Sequence, residues 1–109
     1  MTPTQFEALA LSFPNTVASL HFDRTAFKVV NKRIFATLHA ESETANLKLS
    51  RVDQSVFCLI NKEIIYQVDN KWGVQGWTTF NLKKIDGQLM LEALDTAYKE
   101  TFIIGSKKK

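Results

Sequence analysis

Apolar and polar residues along the chain change their period several times, and each change marks an element. Phe6, Leu9, Ala10 and Phe13 recur at helical spacing behind Thr2-Pro3-Thr4-Gln5, a capping-box pattern with proline at the first helical position. Pro14 ends that helix. From Val17 to Ser50 the period falls to two. Strands are predicted at 17–22, 25–30, 33–40 and 45–50, with a tight turn at Asn31-Lys32 and a polar loop at 41–44. Ser50-Arg51-Val52-Asp53 opens a short second helix to residue 61, carrying Val56, Phe57, Leu59 and Ile60. A short strand is predicted at 64–68; Gly73 and Gly76 then interrupt the chain, and 77–84 alternates as a strand. Asp86 is the N-cap of a last helix with the apolar stripe Met90, Leu94, Ala97, Tyr98 and Phe102, and Gly105 is its stop signal.

Strand alternation assigns faces. Phe27 and Val29 point one way, as do Ile34, Ala36 and Leu38, then Leu47 and Leu49, then Phe80 and Leu82. One sheet face is therefore aliphatic and has to be covered by the two amphipathic end helices. Phe6, Leu9, Phe27, Leu38, Leu47, Phe80, Leu94 and Tyr98 are the expected shared core. The opposite face takes Lys28, Arg33, Phe35, Thr37, Lys48, Trp77 and Thr79, aromatics among cations with no acid between them. Trp77 is thus a candidate surface tryptophan. Its alternative is a covered position, over Phe35 at the sheet edge or beneath the loop at 69–76, because large aromatics are mostly buried. Trp72 lies beyond the glycine break, where periodicity places nothing.

Composition narrows the class. A chain of 109 residues, 45% hydrophobic and 23% charged, reads as one globular α+β domain over 1–109. The net charge is +3, and Lys107, Lys108 and Lys109 at a frayed basic end account for it, so a charge argument must rest on local placement. Cys58 is the single cysteine, no apolar run reaches the ~18 residues of a membrane span, and no signal segment precedes the first helix. A cytoplasmic protein away from membranes is expected.

Reaction chemistry is sparse. His39, Glu41 and Glu43 stand on alternate residues, but the two glutamates fall in a loop, and a structural zinc site wants four well-spaced ligands; no metal and no cofactor are expected. No phosphate-binding glycine loop or nucleophile elbow is present. A Ser–His–acid set needs only to meet in space, so sequence leaves it open, with nothing pointing to one. Cys58, between Phe57 and Leu59, reads as an inert, buried thiol. No enzyme is expected.

Several short motifs in order resemble the small bacterial MmcQ/YjbR-like proteins across nearly the whole chain. They are Phe13-Pro14-Asn15-Thr16-Val17, Phe27-Lys28-Val29, Asn31-Lys32-Arg33-Ile34-Phe35-Ala36, Asn46-Leu47-Lys48-Leu49, Gly76-Trp77-Thr78-Thr79-Phe80-Asn81-Leu82 and Ala97-Tyr98. The family pattern more often has glycine where Asn31 stands and serine where Ala97 stands. The resemblance implies a frataxin/CyaY-like fold: a twisted antiparallel sheet with two long helices packed on one face. It also implies DNA binding through two β wings. The first wing would be the hairpin turning at Asn31-Lys32, with Lys28, Lys32 and Arg33 near its tip, and the second the turn around Asp69-Asn70-Lys71. Frataxins handle iron through an acidic first helix; here that helix holds Glu7 alone, so iron handling is not expected.

The leading expectation is a monomeric DNA-binding domain using Lys28, Lys32, Arg33, Phe35, Lys48, Trp77 and Thr79. The alternative is a protein-interaction module using the same face around Trp77. A small-molecule sensor or an unrecognised enzyme is the third reading.

Overall fold

Thr2 caps the first helix, α1 (Pro3–Leu11), as the capping box predicts: its hydroxyl accepts from Gln5 N–H, and the Gln5 side chain accepts from Thr2 N–H. The computed structural model describes residues 1–107, so Lys108 and Lys109 of the basic end lie outside the described residues. After α1 come β1 (Thr16–His21), β2 (Arg24–Val29), β3 (Ile34–His39) and β4 (Thr44–Lys48). The chain continues through α2 (Arg51–Cys58), β5 (Ile65–Gln67), α3 (Lys71–Val74), β6 (Trp77–Asn81) and α4 (Gly87–Lys107). The fold is α+β, with four helices among the described residues and one six-stranded antiparallel sheet in the order β1-β2-β3-β4-β6-β5.

Two elements depart from the periodicity. The short helix α3 forms inside the glycine-broken stretch. α4 also runs through Gly105 to Lys107, because a glycine late in a helix costs only about 1 kcal/mol relative to alanine and need not end it.

The inner face of the sheet meets α1 and α4. Phe6 and Ala10 from α1, Met90, Ala93, Leu94 and Ala97 from α4, and Phe27, Leu38, Leu47 and Phe80 from the strands form one buried cluster. Leu9 and Tyr98 pack against it partly buried, which accounts for all eight expected core positions. Tyr98 also donates its hydroxyl proton to Pro14 O at 2.8 Å, tying α4 to the turn after α1.

Phe35 corrects the face assignment. Phe27 pairs with Ala36, but the next residue, Lys28, pairs with Ile34, so β3 carries one surplus residue at Phe35. A bulge of this kind breaks strict alternation. Phe35 turns into the core against Phe13 and Tyr98, at ring distances of 6.5 and 5.7 Å, and is fully buried. Ile34, expected inside, is left on the outer face.

Candidate functional site

Ladder partners share a side of the sheet, and the register lays the outer face out in rows. The middle row runs Ser19–Ala26–Thr37–Asn46–Thr79–Tyr66. Toward the β2–β3 turn, Lys28 stands between Val17 and Ile34, and Lys48 faces Trp77. Toward the opposite end, His21 faces Arg24, and Thr44 links His39 to Asn81. At that opposite end Asp23 sits in the β1–β2 turn and Glu41 and Glu43 in the β3–β4 turn, while Asp69 follows β5 at the Lys48–Trp77 end. The outer face is therefore polarised along its strands.

Both tryptophans are held here by backbone geometry that requires the glycines. A Cβ on Gly73 would lie 1.9 Å from Val68 O, and one on Gly76 would lie 1.9 Å from Leu49 O; Gly76 also sits at φ +110°. α2 clamps the segment from the side. Buried Gln54 donates to Gly73 O at 2.9 Å and Trp77 O at 3.1 Å, and Arg51 donates to Val74 O at 2.7 Å. Asn70 caps α3 by accepting from Trp72 N–H at 2.8 Å.

The result is a groove of about 490 Å³ across the outer face. Its floor is Ile34, Thr37, Asn46 and Trp77; His21 and Arg24 stand on one side, and Val68, Asn70 and Trp72 on the other. Trp77 is half-buried in it and Trp72 is 50% exposed at its rim. Thr79 donates to Asn46 Oδ1 at 2.8 Å, fixing that amide with its NH₂ still a free donor. Arg24 Nη1 is shut off from solvent and has no hydrogen-bond partner.

The seven expected site residues divide. Lys28, Lys48, Trp77 and Thr79 share the outer face, and exposed Arg33 is near enough to Lys48 for its charge to act there. Burial pushes the Lys48 ammonium below its usual range; the Glu100 carboxylate opposes that effect and Arg33 adds to it. Phe35 is lost to the core. Lys32 leans away from the sheet face, with Nζ 5.3 Å from the centroid of the Phe102 ring on α4.

At the far end, His39 bonds Asp23 Oδ2 through Nε2 at 2.9 Å and Ser42 Oγ through Nδ1 at 2.6 Å. The backbone N–H of Ser42 also reaches Nδ1, at 3.3 Å, so Nδ1 is an acceptor and the ring proton of a neutral imidazole sits at Nε2. Asp–His–Ser order is that of a nucleophile relay. The other contacts of Ser42 are internal to the turn, to Thr44 Oγ1 at 2.8 Å and His39 O at 3.5 Å, and the chain ties two hairpin turns together. Among the described residues no three His, Cys, Asp or Glu side chains gather as metal ligands. Cys58 is half-buried, and burial pushes its thiol up.

The YjbR family model matches residues 11–100. The chain belongs to the YjbR family. A solved structure of similar fold is that of protein DR2400 from Deinococcus radiodurans, whose domain is DUF419. The TM-score is 0.74 at 20% identity, over 89% of this chain and 75% of that one, a likeness of fold. No curated protein matches the chain.

In this YjbR-family chain, sequence reasoning missed His21, Arg24, Ile34, Asn46, Asn70 and Trp72 as groove residues. His21 and Arg24 were within reach: extending the alternation of the first hairpin to its turn puts both on the side of Lys28. Trp72 carried no periodic signal, because its position depends on α3.

Proposed function

We propose that the protein is a nucleic-acid-binding domain that docks DNA phosphates on the cationic end of its outer sheet face. The observation that carries this reading is the placement of Lys28 and Lys48 beside Ile34 and Trp77, with the acidic turns at the other end of the same strands. A polyanion meets cations and an aromatic platform on the strands at that end, with Asp69 in the adjoining loop. In this reading the β2–β3 and β5–β6 hairpins are the two wings of a frataxin/CyaY-like domain. The domain acts as a monomer in the bacterial cytoplasm, without catalysis or a cofactor. Lys28, Lys48 and Arg33 contact phosphate, and Lys32 joins them by leaving Phe102.

A titration of labelled duplex DNA between about 50 and 200 mM salt tests this. Three neutralised phosphates give a log–log slope near −2.7, and Lys28→Ala flattens it by about 0.9 for every sequence alike. Absence of binding at about 50 mM salt defeats the reading. A weak, unsaturable response points instead to the protein-interaction module.

A further inference from the structure

Resting on that nucleic-acid reading, we propose that the groove beneath Trp72 takes one unpaired nucleobase, so that the chain prefers single-stranded or locally opened strands to intact duplex. Its volume of about 490 Å³ falls within the range of about 300–1,000 Å³ usual for ligand sites. Its composition suits a flat guest with polar edges. Trp72 and Trp77 supply aromatic surface, and Ile34 an apolar floor. Arg24 brings a guanidinium to the lining, and Asn46, whose Oδ1 is taken by Thr79, keeps its NH₂ as a donor. A base carbonyl or ring nitrogen is an acceptor for such donors.

The groove is continuous with the cationic end. Trp77 on its floor is the ladder partner of Lys48, and Ile34 is that of Lys28. A base in the groove therefore leaves its own phosphate beside two lysines. Bases in a duplex are stacked on each other and offer no free π-face, whereas an unpaired base stacks on an aromatic side chain. Charge and shape both select the same occupant.

The test is fluorescence anisotropy with a labelled twelve-nucleotide oligothymidylate and a blunt duplex of equal length, at about 50 mM salt, on the wild type, Trp72→Ala and Arg24→Gln. Expected is tighter binding of the single strand than of the duplex, with quenching of tryptophan emission. Trp72→Ala weakens the single strand by about 5- to 150-fold, the effect of one stacked base, and leaves duplex binding unchanged. Arg24→Gln weakens the single strand with no change in the salt slope. Equal binding of both probes, insensitive to Trp72→Ala, overturns the base pocket while leaving the DNA reading standing. Binding of neither probe overturns both. Circular dichroism melts of each variant confirm that the compared proteins are folded.

Discussion

Lys28 faces Ile34 across the β2–β3 ladder although its neighbour Phe27 faces Ala36. That one-residue slip sends Phe35 inward and exchanges an aromatic for an aliphatic residue on the outer face. Phe35→Ala should therefore destabilise the domain by about 3–5 kcal/mol, as expected for a fully buried phenylalanine. Ile34→Ala, on the open side, should cost well under half as much. Urea melts of the two variants check the order; equal costs would mean that the bulge is not where the register puts it.

Gly76→Ala should be among the most damaging single-methyl additions to this chain. The new Cβ meets the carbonyl of Leu49 at 1.9 Å, and φ +110° is strained for any side chain. A loss of about 1–3 kcal/mol is expected from the backbone strain, before the clash is added. A red shift of tryptophan emission should accompany it, because Trp77 follows directly.

Lys48→Met should raise the melting temperature at neutral pH. Burial lowers the folded-state pKa of Lys48 below its ordinary 10.5, so the unfolded chain holds the proton more tightly. Below the folded pKa the ammonium is charged in both states, and its burial penalty is present in full. As pH rises from the folded pKa toward 10.5 the penalty is relieved. The advantage of the methionine variant should shrink across that alkaline window, which paired thermal melts at stepped pH will show. A constant gap would separate the gain from titration of Lys48.

Asp23→Asn should remove an acid-sensitive component of stability. The hydrogen bond from His39 is the main cause holding the Asp23 carboxyl below its ordinary 3.8. That contribution is complete above 3.8 and is lost as pH falls through the lowered folded value. The wild type should lose more melting temperature than Asp23→Asn between pH 5 and pH 2. The Asp23→Asn/His39→Gln double variant should show the same acid dependence as the single variant, since the titrating carboxylate is absent from both, although its stability falls further with the loss of the His39–Ser42 bonds.

Much of this molecule is legible from periodicity because most elements agree with their local sequence. Thr2 and Gln5 form the box they predict, Asp86 accepts from Leu89 N–H at 3.3 Å as an N-cap, and Leu47 and Phe80 are fully buried. Period-two reasoning fails where the ladder is not regular. Nothing local to Ile34-Phe35 announces a bulge; it is set by the space that Phe13 and Tyr98 leave for a ring. The groove was hidden for a similar reason. Trp72 reaches it because Gly73 and Gly76 let the backbone close on Val68 and Leu49, contacts made across the fold.

The sheet ends differently at its two borders. β5 is three residues long and packs beside α2, whereas β1 presents six residues of backbone along an open edge without Lys, Asp, Glu or Pro. Natural sheets usually blunt such an edge with charge, proline or a bulge. An antiparallel edge that joins its own copy does so about a two-fold axis, and the union consumes both edges at once. Since the far border has no matching long strand, any pairing of two β1 edges would close at two copies and offer no template for a fibre.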